Sequence, residues 1–132
     1  MKRYLLLAAM LALAGCAAPQ ERLANRRQER LAAYQALPPD LRAAVDTGRL
    51  KTGMNEDAVY IAWGRPDQVL QRGSAAGEET VWLYEGSYLA ETRYWGRRHL
   101  HSAYVSAGYV RAEVVFAQGL VTSWRTLAAP PY

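Results

Sequence analysis

Two histidines, His99 and His101, stand two residues apart, a spacing that puts both rings on one side of a strand and suits a pair of metal ligands. The neighbouring Arg97 and Arg98 repel a cation, and no carboxylate or thiol adjoins them, so the expectation is surface histidines and no metal. Glu78, Glu79, Glu85 and Glu91 raise the chemistry of paired carboxylates, an acid and a base flanking a glycosidic bond. Glu78 and Glu79 fall in an expected turn, however, and spacing alone pairs none of the four. Ser74, Ser87, Ser102, Ser106 and Ser123 lie in no G-x-S-x-G elbow. Residues 53–67 (GMNEDAVYIAWGRPD) hold two glycines, but neither opens the G-x-x-x-x-G-K run of a phosphate-binding loop. The residue types therefore predict no catalytic constellation, no cofactor and no enzyme.

The one thiol sits where a different chemistry operates. Residues 1–14 (MKRYLLLAAMLALA) read as two positive charges, a short apolar run and small residues, the pattern of a secretory signal. The run is too short for a permanent membrane span. It ends in Leu13-Ala14-Gly15-Cys16, which looks like a bacterial lipobox, where the signal (residues 1–15) is removed and Cys16 becomes the acylated first residue. The plainer reading is a signal cleaved near Ala17 or Ala18. A single cysteine makes no internal disulfide, and acylation would hold the chain on outer-membrane lipids without a transmembrane helix. Loss of Lys2 and Arg3 with the signal leaves 14 basic against 12 acidic residues, a net +2. For an exported chain of mixed charge this argues against nucleic acid and for anionic lipid or an acidic protein surface.

A candidate binding surface lies in residues 86–108 (GSYLAETRYWGRRHLHSAYVSAG), which interleave Tyr88, Tyr94, Trp95 and Tyr104 with Arg93, Arg97 and Arg98. Arginine and large aromatics are favoured at binding hot spots, and both also suit lipid headgroups. Tyr94, Trp95, Arg97 and Arg98 are the candidate contacts to a protein partner or to headgroups. The segment either extends its flanking strands into a long hairpin or forms a loop.

The elements that must position these residues are short. Residues 16–37 are polar, with Leu23, Leu31 and Tyr34 as a thin stripe, and predict a partly helical tether. Pro38 and Pro39 mark the boundary of a domain over residues 38–128. One helix follows, with Leu41, Ala44 and Val45 on its apolar face and Gly48 at its end. A second is capped by Asn55, carries Glu56 and Asp57 in its first turn, and pairs Met54 with Val59 as a hydrophobic staple. Val59, Ala62 and Trp63 make its buried stripe, and Gly64 and Pro66 stop it. The pattern then changes to period two: an edge strand over residues 67–71, a strand over 80–85, and a hairpin of 110–118 and 120–127 turning at Gln118-Gly119. Val110, Ala112, Val114 and Phe116 are expected on one face, and Trp63, Trp82, Phe116 and Trp124 in the core. The expected fold is α+β, two short helices packed on a mostly antiparallel three- to four-stranded sheet, preceded by the signal peptide and a polar tether.

With the lipobox, the G-M-x-x-x-x-V-x-x-A-W-G-x-P-D segment, the VWLY strand and the VVFAQGLVTSW hairpin, the chain resembles the BamE/SmpA-like small outer-membrane lipoproteins. The likeness covers residues 41–125 and rests on Gly53, Met54, Val59, Gly64, Pro66, Trp82, Tyr84, Phe116 and Gly119. It implies a two-helix, three-strand fold related in shape to β-lactamase inhibitor proteins. It also implies a non-enzymatic outer-membrane lipoprotein facing the periplasm, whose partner could belong to the barrel-assembly machinery. In that family BamE binds a partner lipoprotein and interacts with phosphatidylglycerol. Ala17 after the cysteine resembles outer-membrane sorting. The insertion at 86–108 and the longer, more basic tether depart from the family. A soluble periplasmic inhibitor or ligand-binding module of the same fold is the alternative.

Overall fold

The computed structural model describes residues 19–131. The expected signal peptide, Cys16 and Ala17 lie outside the described residues. The fold is α+β: helices α1 (Pro19–Glu29), α2 (Leu31–Ala36), α3 (Pro39–Asp46) and α4 (Glu56–Trp63) precede strands β1 (Gln68–Ser74), β2 (Gly77–Gly96), β3 (His99–Ala117) and β4 (Leu120–Thr126). The strands form one open antiparallel sheet in the order β1-β2-β3-β4.

The local signals around α4 act as their chemistry requires. The Asn55 side chain accepts from the Ala58 N–H at 2.9 Å, so one orphan donor of the first turn is satisfied. Met54 and Val59 are both fully buried. Gly64 ends the helix at φ 93°, and Gly48 takes φ 66° just past α3. Backbone bonds from Gly53 N–H to Val121 O (2.9 Å) and from Val121 N–H to Met54 O (2.8 Å) tie the entry to α4 onto β4.

The core lies between the helices and one sheet face. Val45, Met54, Val59 and Ile61 meet Trp82, Tyr84, Val114 and Phe116 there. Trp82 packs on Phe116 at 5.0 Å, and Trp63 stands edge-on to Tyr84 at 5.5 Å. Burial of each large apolar side chain stabilises the fold by about 1.5–3 kcal/mol, so this layer carries the domain.

Three expectations are corrected. The two helices expected for the domain are α3 and α4, but residues 19–36, expected as a partly helical tether, fold into α1 and α2 and dock on α4, so four helices are present among the described residues. Val110 does not share a face with Ala112: the register passes from Tyr84↔Ala112 to Glu85↔Val110, and the skipped Arg111 forms a bulge. An inserted residue reverses the pleat for everything beyond it, so Val110 lies on the outer face with Val81 and Leu83, bordering the same groove. Trp124 is 40% exposed on edge strand β4 and is not a core residue. In addition, the first hairpin turns at Ala75-Ala76, which leaves Glu78 and Glu79 inside β2.

A candidate binding arm and its adjoining sheet face

β1 pairs β2 only as far as Leu83, and β4 pairs β3 only as far as Ala112. Beyond the bulge, β2 and β3 pair with each other alone through eleven rows, from Gly86↔Tyr109 to Gly96↔His99. Residues 86–108 are therefore a two-stranded arm, and the strand rise makes it about 34 Å long. Of the two forms open to this segment, it takes the long hairpin.

Tyr109 and Tyr88 build the base. A Cβ at Gly86 would lie 2.7 Å from the Tyr109 ring, so glycine there lets the ring lie across the strand. Tyr88 stands edge-on to it at 5.9 Å. Tyr88 thus has a packing role in addition to its place in the basic aromatic segment.

The four candidate contact residues gather at the tip. Tyr94 stacks on His101 at 5.4 Å on one face, and Trp95 faces Leu100 across the strands on the other. Trp95 is 78% exposed and Leu100 54%. Arg97 and Arg98 are the turn itself, at φ 38° and 87°. His99 and His101 share a face, as their spacing predicts, but the His101 ring packs over Gly96 and Tyr94. No group of three His, Cys, Asp or Glu among the described residues could hold a metal ion.

The charges along the arm are arranged unequally. Arg93 donates to Glu91 at 3.3 Å, and that hydrogen bond holds its guanidinium above the ordinary arginine range. With Glu91 engaged there, the net positive charge of the arm belongs to Arg97 and Arg98.

The residues that sequence reasoning missed lie on the outer sheet face and on the same side of the arm. Leu70, Val81, Leu83, Val110 and Leu127 border an open groove of about 610 Å³, with Arg72, Glu113 and Arg125 at its margin. These charges are paired among themselves: Arg72 with Glu79 at 2.7 Å and Arg125 with Glu113 at 2.6 Å. Odd-numbered positions of β2 continue this face onto the arm through Leu89, which is 58% exposed, and Trp95. The period-two spacing of Val81, Leu83, Leu89 and Trp95 was the available signal. The bulge that adds Val110 to it had none.

α1 is held to α4 by polar contacts. Arg26 donates from Nε to Ile61 O (2.9 Å) and from Nη2 to Ala62 O (3.1 Å), satisfying carbonyls at the helix end. Tyr60 donates to Glu29 at 2.7 Å, and α2 is tied to α3 where Tyr34 donates to Asp46 at 2.8–2.9 Å. The first turn of α1, with Pro19, Gln20 and Leu23, borders one cleft together with Trp63 and Arg111.

Against known proteins, no family model matches the chain, and neither a curated protein nor a solved structure matches it.

Proposed function

We propose that this chain is a non-enzymatic lipoprotein, acylated at Cys16 and held on the outer membrane facing the periplasm. Its α+β domain binds a protein partner in outer-membrane assembly or envelope maintenance. The observation that carries this reading is the apolar groove on the outer sheet face, where Leu70 and Leu127 stay exposed and the rim charges are already paired with each other. Such a face has the apolar centre and polar rim of a protein interface. The Leu13–Cys16 motif supports the anchor, and the resemblance to BamE/SmpA-like lipoproteins supports the envelope role, with the barrel-assembly machinery as a candidate source of the partner.

Photo-crosslinking residues placed at Leu70 and Leu127 in the native envelope test the partner, and palmitate labelling of wild type against Cys16→Ala tests the anchor. Discrete protein adducts are expected from both positions. In a separate pull-down of the crosslinked partner, Leu70→Glu with Leu127→Glu should weaken binding at least tenfold, about 1.4 kcal/mol, because two unpaired carboxylates would be buried in the groove. Label is expected on the wild type and absent from Cys16→Ala. A wild type without label refutes the anchor, and a groove that yields no protein adduct refutes the partner.

A further inference from the structure

We infer that the arm of residues 86–108 docks through its tip on the anionic surface of the same bilayer that holds the anchor. The inference rests on the acylation of Cys16, and three observations carry it.

The first is the length of chain between anchor and domain. Cys16 precedes Pro19, the first residue of α1, by three residues, whose full extension is about 11 Å. Because α1 is docked through Arg26 and Glu29, this short leader and not a long tether sets the distance between bilayer and domain.

The second is direction. The first turn of α1 shares its cleft with Arg111, the bulged residue at the foot of the arm. The start of α1 and the foot of the arm therefore lie beside one cleft. An arm of about 34 Å starting there is three times the full extension of the leader, long enough to reach the surface to which the leader is fixed.

The third is the chemistry of the tip. A two-residue hairpin turn with positive φ at both positions is the place for Asn-Gly. This turn holds Arg97 and Arg98 at φ 38° and 87°, so local backbone preference does not account for them. Two cations at the extreme end, with Trp95 and Leu100 exposed behind them, match a headgroup layer in charge and in depth: guanidinium at phosphate, indole at the acyl boundary. A protein partner would be served equally by cations along the arm, but the one acid there neutralises Arg93 and leaves the charge at the tip.

The test uses the full chain, made in a bacterial host and reconstituted into vesicles of phosphatidylcholine and phosphatidylserine with brominated acyl chains, which quench tryptophan on contact. Wild type should show a quenched component that is missing in Trp95→Phe. Arg97→Asn with Arg98→Gly suits the turn and should keep the circular dichroism spectrum. It should also lower the ratio of docked to undocked arm about 30-fold in these vesicles, about 5-fold for each arginine lost. Equal quenching in wild type and Trp95→Phe overturns the inference, as does quenching unaffected by loss of both arginines. A protein adduct from a crosslinker at position 95 with no quenching of Trp95 also overturns it. The mass of the peptide bearing Cys16 reads the anchor separately. If that peptide carries no lipid, the same vesicles added to the unacylated chain still decide the arm by Trp95 quenching.

Discussion

Gly64 stands where α4 stops, at φ 93° and ψ −169°, a region of backbone space that is essentially closed to side chains. A Cβ there would find its nearest atoms on Arg26 at 3.7 Å, an ordinary contact, so space is not the constraint. Gly64→Ala should destabilise the domain by about 1–3 kcal/mol through backbone strain alone. Urea unfolding measures this, and an unchanged midpoint would contradict the assigned conformation. The residue's part as a stop signal was legible in the sequence, because glycine followed by Pro66 after a capped apolar stripe has few other uses. That its carbonyl would accept from Tyr84 and its Cα would lie against Arg26 was not legible, since both partners are distant in sequence.

At the scale of elements, the segment before Pro38 is the clearest case of tertiary structure deciding a role. Its stripe of Leu23, Leu31 and Tyr34 is thin and predicts no docking by hydrophobic periodicity; no residue of α1 or α2 is fully buried, and of the stripe only Tyr34 packs against the core. Docking of α1 uses Arg26 on helix-end carbonyls, Tyr60 on Glu29, and ion pairs of Arg27 with Asp46 (3.2 Å) and Arg30 with Asp57 (3.7 Å). Exposed pairs of this kind contribute little and are screened by salt. Hydrogen exchange should therefore show α1 opening before α4, and raised salt should increase its exchange while leaving β3 unchanged. Protection of α1 equal to that of α4 would mean that its contacts are stronger than their polar nature allows. The arm is the converse case. Its strands continue the period-two pattern of the sheet, yet only the pairing register reveals that β1 and β4 stop short and leave it unsupported.

At the scale of the whole molecule, Tyr84 joins the two layers: it lies in the core, and its phenol donates to Gly64 O at 3.0 Å. Burial pushes its pKa above the ordinary phenol value. A group raised in the folded state contributes stability that is whole below its unfolded pKa, about 10, and is lost as pH climbs from there toward the folded value. Tyr34, raised chiefly by burial, and Tyr60, raised chiefly by its hydrogen bond to Glu29, act in the same direction. The melting temperature should thus fall above pH about 10. Tyr84→Phe should cost about 1–2 kcal/mol at neutral pH, because the Gly64 carbonyl loses its donor, and should flatten the alkaline decline. An alkaline profile unchanged by that substitution would remove Tyr84 from the account. By itself the sequence determined the class of fold, the caps and stops of α3 and α4, and the Gln118-Gly119 turn of the last hairpin, since these depend on neighbours within a few residues. It also supplied the expectation of a signal and an acylated Cys16, which rests on a contiguous motif. Only the tertiary structure decided that α1 is docked, that one bulge turns Val110 to the outer groove, and that the foot of the arm lies beside the start of α1. Each of those depends on which distant backbone groups pair, and no local pattern of residue types carries that information.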